Sequence, residues 1–239
     1  MDHSLCAPDK GPTPVPPVPT VADTKRAFYT YHPRPIHAVY QRVVEEMLVE
    51  MHLLQVNVAY RYHPLYALGV VTSFDTLMAH YRPTAQRDSI FQALCRALNH
   101  DPQQLRADAQ RLLTLAQGES GAALRSWLAQ PDTPLTAQDP LQRELLTWLT
   151  PPPPKYSRLV GIGLLTLVQT LWPEAESQWP TAVRTLAQAL QLNSERVERD
   201  LDLYRSSLER LKQAQAVMAD MRKGSKAKTS AAPSEVPAS

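Results

Sequence analysis

Along residues 36–58 the apolar side chains Ile36, Tyr40, Val43, Met47, Met51, Leu54 and Val58 return every three or four positions. Arg42, Glu45, Glu46 and Glu50 fill the opposite arc. At 3.6 residues per turn this spacing forms one stripe, so it predicts an amphipathic helix from Pro35 to about Tyr60. A shorter helix should precede it, opened at Thr20 by TVAD, whose acid three positions on resembles a capping box, and closed near Tyr31. Pro33 and Pro35 end the first helix and launch the second.

Pro64 starts PLYALGVVTSFDTLMAHY, which is apolar around most of its circumference and belongs in the middle of a bundle. Helices at about 84–99, 101–117 (Asp101 as N-cap, Pro102 in the first turn) and 119–129 follow. A proline-marked loop at 130–137 then leads to a helix ending at Thr150. Pro151 to Pro154 form a stiff connector to an apolar helix at 156–171, and TAVRTLAQALQL follows a turn around Pro173. Asn193 or Ser194 caps a last helix reaching about Lys223. Its seam of Val197, Leu201, Tyr204, Leu208, Leu211, Gln215 and Met218 alternates steps of four and three, as in a heptad. No strand alternation is present. The predicted fold is all-α: a helical bundle over 20–192 and a coiled-coil-like helix over 193–223. A proline-rich leader (1–19) and a basic tail (224–239) flank them, both without periodicity and expected to be disordered.

Composition supports this picture. Seven glycines against twenty-two prolines leave few sites for hairpins or phosphate loops. A net charge of +2 over 239 residues disfavours nucleic acid as a partner. Cys6 lies in the leader and Cys95 on an apolar helix face, so two free thiols and a reducing compartment are expected. The leader has no apolar signal core, and LVGIGLLTLVQTLW is too short to span a bilayer. A soluble or peripherally attached protein is expected.

The seven histidines, two of them in HPRPIHAVY, raise the question of metal or acid–base chemistry. His32 and His37 straddle two prolines and share no helix face. Glu46 and Glu50 lack a histidine three positions on, so the di-iron pattern is missing. The histidines fall mostly at helix ends, where capping or solvent accounts for them, and Glu50 reads as part of a solvated face. Ser73 lacks the glycines of a nucleophile elbow, and GIG at 161–163 lies inside a helix. No catalytic residue, metal ligand or cofactor is assigned. The aromatic side chains from Phe28 to Tyr66 read as core.

The seam weakens beyond Arg210, so its first half should dock and its second half protrude. Arg210, Lys212, Gln215, Met218, Arg222 and Lys223 are the candidate partner-binding arm, suited to a partner helix or an anionic membrane surface. Whether the seam dimerises or docks on its own domain stays open. A second candidate is a pigment or lipid pocket between the apolar helices 64–80 and 156–171.

Three blocks carry a resemblance. They are the stretch from VADTKRAFYTYHPRPIHAVYQRVV to TSFDTLM (21–78), KYSRLVGIGLLTL (155–167) and DLDLYRSSLERLKQA (200–214). They resemble the thylakoid-formation family of cyanobacteria and chloroplasts, also called photosystem II biogenesis proteins, over about residues 20–222. His63 replaces an expected acidic residue and Tyr66 an expected Phe. The resemblance implies a non-enzymatic accessory factor of photosystem II assembly and repair. It further implies peripheral association with the cytoplasmic side of a cyanobacterial thylakoid, a soluble pool, and the FtsH protease complex as partner.

Overall fold

Thr20 opens the first helix as its residue type predicts: its hydroxyl accepts from the Asp23 amide at 3.2 Å and the Asp23 carboxylate accepts from the Thr20 amide at 3.0 Å. This is α1 (Val21–Tyr31) of a computed structural model that describes residues 18–230, with side chains as far as Val217. Cys6 and most of the leader and of the tail lie outside these residues. There follow α2 (Ala38–Gln55), α3 (Pro64–Leu77), α4 (Ala85–Ala97), α5 (Pro102–Gln117), α6 (Glu119–Ala129) and α7 (Pro140–Leu146). A 3₁₀ turn (Thr147–Leu149) leads to α8 (Arg158–Leu171), and a second (Glu176–Gln178) to α9 (Trp179–Ala189) and α10 (Ser194–Ser230). No strand occurs among the described residues, and the chain is all-α.

Helices α3 and α8 form the centre, with α5 lying across both. Every residue of α3 from Leu65 to Val70 is buried, as its uniformly apolar sequence requires. The two axes approach until backbones touch. A methyl group on Gly69 would overlap the Leu159 carbonyl, and one on Gly163 the Leu65 carbonyl. Glycine is needed at both positions for this close approach. Around Gly69 and Gly163 the interface between helices 64–80 and 156–171 is closed by this backbone contact.

Helix α2 is shorter than its periodicity suggests. The prolines hold residues 33–37 outside the helix, and His37 becomes its N-cap. At the other end Asn57 accepts from the Ala59 amide at 3.0 Å, a turn that ends the helix and leaves Val58 fully exposed. Glu50 departs from the expected solvated face as well. Its side chain is 18% exposed and accepts from Arg158 Nε of α8 at 3.0 Å. Burial pushes its carboxyl pKa up, and the Arg158 charge opposes that shift.

Three histidines are buried struts between elements: His32 and His52 depart from the expected capping or exposed roles, and His63 combines its strut with the expected cap. His32 pairs with Ser89 at 3.0 Å, joining the end of α1 to α4, and His52 pairs with Thr24 at 2.9 Å, joining α2 to α1. His63 caps α3: its Nδ1 accepts from the Leu65 amide at 3.1 Å. Because Nδ1 is an acceptor, Nε2 carries the proton and donates to Thr147 Oγ1 at 3.0 Å. An acidic residue here would make the same N-cap, which explains how histidine replaces it. Tyr66 likewise gives its hydroxyl a partner, His100 Nε2 at 3.3 Å. Cys95 is a fully buried free thiol whose pKa burial pushes up to about 12.

Candidate functional site on the C-terminal helix

Helix α10 starts where Asn193 Oδ1 accepts from the Arg196 amide at 2.9 Å. Its seam faces the chain's own domain: Val197, Leu201, Tyr204 and Leu211 are all under a tenth exposed, against α8, α9 and the floor made by α3. Docking continues past the point expected from sequence. Ala214 and Gln215 are half-buried, and Gln215 Nε2 donates to the Tyr40 hydroxyl of α2 at 3.2 Å. Tyr40 is held by an edge-on contact with Tyr81, ring centroids 5.1 Å apart. The root of the arm therefore lies at Ala216, not Arg210. Weak apolar character at Gln215 misled the reading, since a hydrogen bond replaces the missing seam contact.

The candidate arm residues separate accordingly. Arg210 and Lys212 are exposed on the docked part, with Arg210 Nε donating to the Ser206 carbonyl at 3.3 Å. Gln215 is an anchor. Met218, Arg222 and Lys223 lie on helix, but their side chains are outside the described ones. The helix runs on to Ser230, beyond the expected end at Lys223, because KAK within the basic segment is made of good helix formers.

Between α2 and α10 lies a slot that sequence reasoning missed. It holds about 330 Å³. Val43 and Met47 of α2 and Leu211 and Ala214 of α10 form its sides; Ser73 and Leu77 of α3 and Leu159 and Ile162 of α8 form its floor. Arg42, Glu46, Glu50, Arg158 and Arg210 surround it. Arg42 pairs with Glu46 at 2.9 Å and Arg158 with Glu50. Ser73 is 2% exposed, and its hydroxyl makes no hydrogen bond. On the far side of α2, an open groove of about 900 Å³ runs past Lys25, Leu53, Lys155 and Arg196. Its charges are largely matched by Lys25–Glu45 and Arg196–Asp200 pairs. Nothing in a periodicity plot could reveal either concavity, since both depend on which helix sits beside which. Among the described residues no cluster of three or more His, Cys, Asp or Glu side chains is placed to hold a metal ion.

These features define an all-helical domain that offers a charged helix end and a slot at that helix's root. The sequence model of thylakoid formation protein matches residues 20–232, and the chain belongs to that family. It is 48% identical to protein Thf1 of Trichormus variabilis over 205 residues, covering 84% of this chain and 88% of that one. Protein Thf1 of Nostoc punctiforme is 47% identical over 207 residues, covering 85% and 88%. The solved structure of Psb29 at 1.55 Å superposes with a TM-score of 0.75 at 42% identity, covering 89% of this chain and 99% of that one.

Proposed function

We propose that this protein is a non-enzymatic accessory factor of thylakoid membrane formation and of photosystem II biogenesis and repair. It acts by binding the thylakoid FtsH protease and supporting its accumulation. Family membership through residue 232, which takes in the whole of α10, is the observation that carries this reading. The arm from Ala216 onward, with Met218, Arg222 and Lys223 on it, is the contact. Arg210 and Lys212 flank its root. Among the described residues no helix is long and apolar enough to cross a membrane. We place the protein peripherally on the cytoplasmic face of the cyanobacterial thylakoid, with a soluble pool, and its basic end facing anionic lipid headgroups.

The test is recovery of FtsH from solubilised thylakoid membranes by the full chain and by a chain ending at residue 215. The shortened chain should recover at least about tenfold less, a difference of about 1.4 kcal/mol in binding. Equal recovery removes the arm from the contact.

A further inference from the structure

The slot beneath α10 has dimensions that select an occupant. It extends beside α2 from Val39 to Glu50, a distance of about 16 Å at 1.5 Å per residue. An extended alkyl chain of about twelve carbons covers that length.

The chemistry of walls and rim agrees with the shape. Val39, Val43, Met47, Leu77, Ile162 and Leu211 offer an apolar surface. A slot of this kind is unfavourable for water, which needs two to four polar partners. Ser73, Tyr204 and Ser207 are the hydroxyl-bearing residues among its walls. Helical hydroxyls elsewhere in this chain donate to the carbonyl four residues back, as Thr166 does to Ile162 at 2.8 Å and Ser206 to Asp202 at 2.8 Å. Ser73, a residue of the slot's floor buried to 2% exposure, does not, and its hydroxyl has no hydrogen-bond partner. At the rim the Arg42–Glu46 and Arg158–Glu50 pairs cancel. That leaves Arg210, whose described hydrogen bond is to a backbone carbonyl, as the uncompensated charge. The mouth is thus cationic by one charge.

We propose that this slot binds one free fatty acid of about twelve carbons, its chain lying between α2 and α10 and its carboxylate at the mouth beside Arg210. The proposal is independent of the protease-binding role above. Binding would bridge Met47 of α2 and Leu211 of α10, and so hold the root of the arm in place.

Titration calorimetry of the full chain with dodecanoate, below its micelle concentration, tests this. One dodecanoate should bind per chain with a Kd of about 10 µM or tighter. Arg210→Glu should weaken it at least about fivefold, with dodecyltrimethylammonium showing the reverse preference. Ser73→Leu fills the slot from its floor and should abolish binding, with helicity by circular dichroism reporting whether the variant folds. If it does not fold, Arg210→Glu on the surface still decides. No dodecanoate binding, or binding equal in native chain and Arg210→Glu, overturns the proposal. Co-sedimentation with phosphatidylglycerol vesicles separates the two sources of an acyl chain. Vesicle binding indifferent to Ser73→Leu supports a free fatty acid; vesicle binding lost with Ser73→Leu places a membrane lipid's chain in the slot and overturns it.

Discussion

His63 shows how one side chain can set a pH limit. Burial pushes its pKa down to about 4, because Nδ1 must stay unprotonated to cap α3 and the site excludes water. In the unfolded chain it titrates near 6.5. Above that pH both states are neutral and the group is silent. As pH falls from 6.5 to 4 the unfolded state takes up a proton that the folded state refuses, so stability declines through that window. The decline approaches about 3 kcal/mol. His63→Asn, whose side-chain oxygen can still cap, should flatten this loss when urea midpoints at pH 7 and pH 4.5 are compared. A second residue-scale prediction concerns Gly69. Alanine in a helix normally stabilises by about 0.5–1 kcal/mol relative to glycine. Here the added methyl meets the Leu159 backbone, which cannot rotate away as a side chain would. Overpacking wins, and Gly69→Ala should cost about 3 kcal/mol, read as a lower urea midpoint with helicity retained below it.

At the scale of single helices, local signals were legible. The capping box at Thr20, the N-caps at Asp101 and Asn193, and the proline-started α3 and α5 are fixed by residues within a turn of one another. What stayed hidden depends on neighbours distant in sequence. Glu50 repeats with the polar arc of α2, yet Arg158, 108 residues on, draws it inward. His32 and His52 read as capping or solvated groups because Ser89 and Thr24 could not be placed beside them. The candidate arm residues all fall on the last helix, and docking of that helix runs past Arg210, since Gln215 is anchored by Tyr40 across 175 residues. Among the described side chains Leu211 is the last strongly buried seam residue. Leu211→Ala should cost about 2–3 kcal/mol locally and speed hydrogen exchange of α10 amides beyond Leu208. Amides of α3 and α8 should stay protected.

For the whole molecule, the seam that resembled a coiled coil is already covered. Val197, Leu201, Tyr204 and Leu211 face α8, α9 and the slot, so they offer no apolar stripe to a second copy. Sedimentation equilibrium over a wide concentration range should therefore give the monomer mass for a chain ending at residue 215, about 24 kDa, the 26.8 kDa of the full 239 residues scaled to 215. A dimer of that shortened chain would require the seam to peel away. The all-α class was legible because every apolar run has helical spacing. The central α3–α8 contact was not, because two glycines in separate helices announce a close approach only once they are seen together.

The hydrogen bond between Tyr40 and Gln215 also orders events during synthesis. Until residue 215 has left the ribosome, the face of α2 carrying Val43 and Met47 has no lid and stays exposed to the cell. Most of the chain must wait, half-closed, for its final helix. An apolar face left uncovered until the final helix arrives is the kind of surface that makes a nascent chain prone to aggregation before it closes.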